Sequence, residues 1–227
     1  MAGPLQTLLS DMRAPLERDP AARGWVDVVF SYPGFHALTA YRVNHRLWQW
    51  GMPHLSRWLS HVARFLTGIE IHPAATLGQR IFIDHGMGVV IGETAQVGDG
   101  CTIYQGVTLG GTSLAHTKRH PTLGKNVTVG ASAVVLGAIV VGDNARVGSG
   151  SVVVRDVPAN ATVVGIPAHV VAQDGKPVRV VPDRPQVEMP DPNADAINHL
   201  LRRLVELEAR VEQVERDNGE ETWSWVI

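Results

Sequence analysis

The chain has 227 residues, a 44% hydrophobic composition and a formal net charge of −2, with a sequence pI near 6.5. That length leaves room for one main domain with appendages, and the near-neutral charge points away from a nucleic-acid partner. The single cysteine, Cys101, excludes a disulfide framework within the chain, no stretch is long and apolar enough to span a bilayer, and Met1 to Arg13 lack the basic start and apolar run of a secretory signal. The expectation is a soluble cytoplasmic protein that does not enter a membrane.

Residues 1–68 read as a helical domain. Pro33-Gly34 interrupts the pattern before a helix near Phe35 to Trp50, and Pro53 suits the first turn of a following helix that runs to about Leu66. Trp48, Trp50, Trp58, Leu47 and Leu59 are the expected packing surface of this region.

From Ile71 the period changes to six. Ile71, Leu77 and Ile83 form one run; Ile91, Val97, Ile103 and Leu109 a second; Leu123, Val129, Val135, Val141, Val147 and Val153 a third. Glycine follows most of these anchors, as at Gly78, Gly92, Gly98, Gly124, Gly130 and Gly142. A hexapeptide repeat is the signature of a parallel β-helix whose aliphatic anchors point inward. The glycines are expected to relieve crowding where the backbone turns and φ can become positive. The predicted catalytic domain spans residues 69–172. Two breaks interrupt the period. Ile83 to Ile91 has surplus residues around Asp84-His85-Gly86. Leu109 to Leu123 contains the polar segment Gly110 to Pro121, read as a loop extruded from the helix. Loops on rigid scaffolds are frequent sites of chemistry, and both breaks carry histidines.

Residues 173–194, with their prolines and charges, read as a linker. Ile197, Leu200, Leu204, Leu207, Val211 and Val214 then fall at alternating spacings of three and four, a heptad pattern over residues 195–218. A self-associating coiled coil and a single amphipathic helix lying on its own domain both satisfy it. Residues 219–227 form an apolar tail ending in Ile227. The fold class is therefore α+β: a helical region, a parallel β-helix and a coiled-coil-like helix.

His85, at a register break, is a candidate general base, because imidazole titrates near neutrality and an alcohol is a poor nucleophile until deprotonated. Such a base needs an acceptor on its other nitrogen, and Glu70, in Gly68-Ile-Glu-Ile-His-Pro73, is the candidate. A histidine that merely caps a turn fits the spacing equally well. Arg119 offers a planar fork for a carboxylate, and His120 a hydrogen bond to the substrate or support for the base; the alternative is a solvated basic loop. His116 and His120 have a spacing that on a helix would suit a metal, but they stand in a loop without nearby carboxylate or cysteine, so no metal is expected. The remaining histidines and Cys101 read as structural. Gly110-Gly111 would let backbone amides approach a thioester oxygen, or simply turn the chain.

The segments Gly-Ile-Glu-Ile-His-Pro-Ala-Ala (68–75), Ile-Asp-His-Gly-Met-Gly-Val-Val-Ile-Gly-Glu-Thr-Ala (83–95), Gln-Gly-Val-Thr-Leu-Gly-Gly-Thr (105–112), Lys-Arg-His-Pro (118–121) and Val-Val-Gly-Ile-Pro-Ala (163–168) closely resemble serine O-acetyltransferases. Arg18-Asp19-Pro20 and Gly34-Phe-His-Ala-Leu38 match that family's helical domain. The resemblance implies a left-handed β-helix, an exception to the usual crossover hand. It implies acetyl transfer from acetyl-CoA to L-serine in cysteine biosynthesis, with no permanently bound cofactor. It further implies a homotrimer with sites between neighbouring subunits, possibly paired into a dimer of trimers. On matching positions His85 is the base and Glu70 its carboxylate partner, one methylene longer than the aspartate of many members. Asp19 and Asp84 hold the serine ammonium, Arg119 and His120 its carboxylate and hydroxyl end, and Gly111, Thr112 and Ala131 line the CoA groove. L-cysteine is expected to compete with serine, and Ile227 to enter O-acetylserine sulfhydrylase. The helical region is shorter than in long hexameric members, and the heptad segment is not a standard family feature. Alternatives are an acyltransferase for a sugar or antibiotic hydroxyl, a β-helix carbonic anhydrase with zinc on three histidines, and a scaffold that only regulates the sulfhydrylase.

Overall fold

The computed structural model describes residues 3–178 and 192–221. The chain divides into two units, Met1–Val180 and Val181–Ile227. Ile227, the tail beyond residue 221 and most of the expected linker lie outside the described residues.

Four helices open the first unit: α1 (Pro4–Arg18), α2 (Trp25–Ser31), α3 (Pro33–Gln49) and α4 (Pro53–Thr67). Three of them begin on proline, which suits a first turn that needs no backbone donor. Gly68, at φ 72, ends α4 in the left-handed conformation.

The β-helix follows in short strands. The first coil is β1 (Glu70–Ile71), β2 (Thr76–Leu77) and β3 (Phe82–Ile83). The second is β4 (Val90–Ile91), β5 (Gln96–Val97) and β6 (Thr102–Ile103). The third is β7 (Thr108–Gly110), β8 (Thr122–Leu123) and β9 (Thr128–Val129). The fourth is β10 (Val134–Leu136), β11 (Val140–Val141) and β12 (Arg146–Val147), before β13 (Val152–Val153) and β14 (Ala161–Gly165). Strands of equal rank stack in parallel, giving a prism with a first face β1-β4-β7-β10-β13, a second face β2-β5-β8-β11 and a third face β3-β6-β9-β12-β14. The prism is a left-handed parallel β-helix.

All the hexapeptide anchors from Ile71 to Val153 are buried, and they pair one above another, Ile71 with Ile91, Ile91 with Leu109, Leu109 with Val135. Each buried aliphatic side chain contributes about 1.5–3 kcal/mol of transfer free energy, which explains why every sixth position is aliphatic. Cys101 belongs to the same core: it is fully buried, burial pushes its thiol up to about 11, and its Sγ donates to the Gly124 carbonyl.

The glycines after the anchors relieve crowding, as expected, but not at a left-handed turn. Their φ is not positive; instead the next coil crowds them. A Cβ on Gly98 would sit 2.4 Å from the Gly124 carbonyl oxygen. At the second–third and third–first corners a left-handed residue comes three positions after the anchor, as at Arg80, Gly100, Gly106, Asn126, Ser132, Asn144 and Gly150. Asparagine tolerates that conformation, and Asn126, Asn144 and Asn160 also bond one another up the corner.

The prism ends differently from a simple linker boundary at residue 173. β14 turns into an antiparallel pair with β15 (Ala168–Gln173), and β16 (Lys176–Pro177) adds to it. The turn between β15 and β16 is Asp174-Gly175, both at positive φ, the sequence that tight hairpins favour.

Of the expected packing surface, Leu47, Trp48 and Leu59 are half-buried, with the Trp48 ring 5.3 Å from that of His72, but the helices dock on the first coil mainly through another face. Trp50 and Trp58 are exposed. The buried face is Gly34, Ala37, Leu38 and Tyr41, at helical spacing. A Cβ on Gly34 would lie 2.0 Å from the Ile83 carbonyl oxygen, so α3 approaches β3 closer than any side chain permits. Tyr41 donates its hydroxyl to the Ala75 carbonyl at 2.5 Å. Arg42 bonds both Asp11 of α1 and the Leu77 and Gly78 carbonyls of the first coil. This network fixes the position of the carboxyl end of α1, where Asp19 stands.

The second unit contains α5 (Pro192–Glu221), a 30-residue helix that covers the heptad segment. Its residues Ile197, Leu200, Leu204, Leu207, Val211 and Val214 are all more than half exposed. Among the described residues no helix is long and apolar enough to cross a membrane.

Candidate active site

The corner between the third and first faces carries the first group of side chains. Elsewhere this corner takes four residues between strands, but between β3 and β4 it takes six. The surplus forms a three-residue turn closed by the Gly86 N–H on the Asp84 carbonyl at 2.6 Å, with His85 at its apex and φ 57. A β-branched residue would resist that conformation; histidine is among the residues that visit it. The turn throws the imidazole outward, 72% exposed, while Asp84 is held to 19%. Nε2 of His85 lies 3.8 Å from Asp84 Oδ2, beyond hydrogen-bond length.

Asp19, the C-cap of α1, faces the same corner. It accepts the Tyr32 hydroxyl at 2.5 Å and the Ala21 N–H at 2.8 Å. The Tyr32 bond above all, then the Ala21 N–H, holds the Asp19 carboxyl below its usual range, with a smaller contribution from His85. Burial, its bond to Asp19 and the nearby Asp84 hold the Tyr32 phenol protonated. Asp19, Tyr32, Asp84 and His85 are thus one acidic cluster around an imidazole.

Glu70 is not part of that cluster. Its carboxylate pairs with Arg64 of α4 at 3.0 Å, and no hydrogen bond joins it to His85. Arg64, one helical turn before the end of α4, reaches Glu70 at the start of β1 and draws it towards Arg57, Ser60, His61 and His72. Among the described residues the carboxylate nearest His85 is that of Asp84, at 3.8 Å.

The second group stands on the corner between the first and second faces. The loop from Gly111 to Pro121 leaves the prism after β7 and returns before β8, as the break in period indicates. Arg119 pairs through Nη2 with Glu93, whose carboxyl is thereby held low. His120 is only 8% exposed. Its Nδ1 meets the Thr94 N–H at 3.2 Å and the Thr94 hydroxyl at 2.9 Å. Burial lowers its pKa, and the Arg119 charge adds to that. Lys118 donates to the Thr94 carbonyl at 2.7 Å. His72, pushed down to about 4 by burial and by Arg57, lies behind this group.

Two corners of one prism therefore divide the predicted residues. Asp84, His85 and, two coils above them, Ala131 stand on the third–first corner, joined by Asp19. Arg119, His120, Gly111 and Thr112 stand on the first–second corner, with Gly111 and Thr112 exposed. Among the described residues no hydrogen bond or ion pair joins the two groups. No three His, Cys, Asp or Glu side chains among them gather in a way that would hold a metal. Sequence reasoning missed Tyr32, Glu93 and Thr94. The last two stand inside a quoted motif, at the corner that the Lys118–Pro121 segment closes upon, but nothing in their spacing marks the contact.

Comparison with known proteins agrees with this architecture. Residues 120–155 match the bacterial transferase hexapeptide (six repeats) family. The serine acetyltransferase of Synechococcus elongatus is 57% identical over 95% of this chain and 87% of its own length. That of Bacillus subtilis is 49% identical over 90% and 94% respectively. The structure resembles Neisseria gonorrhoeae serine acetyltransferase in complex with serine, at TM-score 0.72 and 45% identity over 74% of this chain and 69% of that one. It also resembles the Brucella abortus enzyme in complex with coenzyme A, at TM-score 0.73 and 40% identity over 74% and 68%. A serine acetyltransferase in complex with cysteine matches at TM-score 0.73 and 39% identity over 74% and 70%. With identities this high over most of its length, the chain belongs to the serine acetyltransferase family.

Proposed function

We propose that this chain transfers the acetyl group of acetyl-CoA to the hydroxyl of L-serine, giving O-acetyl-L-serine and CoA and committing serine to cysteine synthesis. The observation that carries the reading is the charge pattern of the two corners: ionised carboxylates around an exposed imidazole on one, a guanidinium beside a buried imidazole on the other. A free amino acid presents the complementary set, an ammonium, a carboxylate and a hydroxyl. A sugar hydroxyl would use neither charge group.

In this reading Asp19 and Asp84 hold the ammonium and Arg119 the carboxylate. His85 removes the hydroxyl proton as the oxygen attacks the thioester carbon. The oxyanion is met by backbone amides at Gly110-Gly111. The carbon–sulfur bond breaks, and the departing thiolate takes the proton back from His85. Acetyl-CoA, with its chain along Gly111, Thr112 and Ala131, is a co-substrate, and the atoms balance without any further cofactor or metal. Asp84, and Glu70 if it leaves Arg64, orient His85.

The separation of the two corners supports a homotrimer in which the His85 corner of one copy faces the His120 corner of the next. Both the serine set and the CoA set divide between the same two corners, as one groove between copies requires. The exposed apolar seam of α5 supports self-association of the heptad helices. A dimer of trimers would use the outer surface of the amino-terminal helices, where Trp25 and Phe30 are exposed. L-cysteine carries the same two charges as serine and would compete for the site. O-acetylserine sulfhydrylase is the proposed partner of the apolar tail at Ile227. We read residues 1–68 as the helical domain and 69–172, closed by the β15–β16 hairpin, as the catalytic domain of a cytoplasmic enzyme, followed by the linker, the heptad helix of 195–218 and the tail of 219–227.

The test is acetyl-CoA consumption with L-serine in the wild type and in His85→Ala. Activity abolished in the variant supports the acetyltransferase and its base. A folded wild type inert towards serine would refute the reading.

A further inference from the structure

Thr94 has no role in the reading above, yet its hydroxyl is fully committed. It accepts the backbone N–H groups of Arg119 and His120, each at 3.1 Å. With both lone pairs engaged, its own proton is left for His120 Nδ1 at 2.9 Å. The Thr94 backbone N–H approaches the same nitrogen at 3.2 Å. A backbone N–H can only donate, so Nδ1 has to present its lone pair to both donors. A neutral imidazole with a lone pair on Nδ1 carries its proton on Nε2.

We propose that Thr94 is a positioning residue that locks His120 in the Nε2–H form, making it a hydrogen-bond donor to the amino-acid substrate and withholding it from service as a second base. The inference rests on the serine reading for what the donor meets, but not for the lock itself.

The ring has little freedom to escape. A Cβ on Gly92 would fall 2.0 Å from His120 Cδ2 and 2.1 Å from Nε2, and one on Gly111 would fall 3.3 Å from Nε2. The imidazole is seated against two glycines with Nδ1 turned inward, and Nε2 has no partner among the described residues. Burial and the charges of Arg119 and Lys118 oppose a second proton. The two histidines then divide the labour. His85, exposed on its turn, accepts the hydroxyl proton and returns it to the leaving thiolate. His120 shares the proton on Nε2 with a substrate oxygen and keeps it.

The lock is read directly in the intact enzyme. Long-range 1H–15N spectra of protein labelled with 15N-histidine, with His120 assigned by comparison with His120→Gln, should show an unprotonated Nδ1 and a protonated Nε2 at neutral pH. Thr94→Val removes the hydroxyl and keeps the shape. It leaves the Thr94 backbone N–H as the single donor to Nδ1 and deprives the Arg119 and His120 N–H groups of their acceptor, so the Nδ1-protonated fraction should rise above that of the wild type and the serine KM should rise about tenfold, as expected for one lost hydrogen bond, with the acetyl-CoA KM unchanged. Thr94→Ser should restore both. A protonated Nδ1 in the wild type overturns the proposal even if Thr94→Val does not fold, and so does an unchanged serine KM and spectrum in a folded Thr94→Val. A wild type inactive on serine but with the expected spectrum overturns the serine reading and leaves the lock standing.

Discussion

Replacing Arg42 by methionine tests whether one guanidinium holds the helical region to the β-helix. Arg42 bonds Asp11 Oδ2 through Nε at 3.1 Å and Nη2 at 3.0 Å, and donates to the Leu77 carbonyl at 2.8 Å and to that of Gly78. The Asp11 side chain is 1% exposed. Methionine keeps much of the volume but leaves a buried carboxylate and two carbonyls without their donor. Removing one partner of a buried pair typically costs about 3–5 kcal/mol, and for a unit of this size about 1 kcal/mol moves Tm by roughly 2–4 °C. The variant should therefore melt roughly 6–20 °C lower by calorimetry. Burial already raises the Asp11 carboxyl above its ordinary 3.8 against the pull of Arg42, and without Arg42 it rises further. The folded state then binds a proton at a pH where the unfolded chain does not, so stability falls as pH rises through the raised value. The deficit should shrink on acidification below that value. Asp11→Leu combined with Arg42→Met should recover most of the loss, because no charge is left unpaired. A deficit below about 1 kcal/mol, or one that does not change with pH, would refute the argument.

The remaining expectations concern the site. Mixed assemblies of His85→Ala and His120→Ala chains, each inactive alone, should regain about a quarter of wild-type activity after co-refolding in equal amounts, because a random closed ring pairs an intact His85 corner with an intact His120 corner at that frequency; no recovery would place both histidines in one chain's site. Arg119→Ala should cost about 2–3 kcal/mol in kcat/KM for serine, and Glu93→Gln less, with the acetyl-CoA KM unchanged in both; a serine KM unmoved in Arg119→Ala would remove the carboxylate contact. Gly92→Ala should displace the His120 ring, since its Cβ would fall 2.0 Å from Cδ2, and should raise the serine KM in steady-state assays without lowering Tm as Arg42→Met does.

The hexapeptide period was legible because burial in a narrow prism demands an aliphatic residue at the same point of every face, and a local repeat records that demand position by position. The two breaks were legible for the same reason: a rigid period makes surplus residues visible, and they fell at His85 and at the loop of Arg119 and His120. The heptads of α5 were read from their spacing, and Asp174-Gly175 was a turn signal left unread within a segment taken for linker. What the period did not contain was the contact between coils. Glycine after an anchor is explained by the backbone of the coil above it, which no single hexapeptide describes. Trp50 and Trp58 were expected inside because aromatic side chains usually are, yet Gly34 and Ala37 let α3 approach so closely that these two were left outside while Trp48 packs on His72. Glu70 matched a catalytic position by its place in the motif, but its partner is decided by α4, which brings Arg64 within 3.0 Å. Residue types and their spacing thus determined the scaffold and the inventory of the site. Only the tertiary structure decided which carboxylate meets which cation, that the candidate residues divide between two corners, and that the Thr94 hydroxyl meets His120, because those outcomes depend on contacts between segments far apart in the chain.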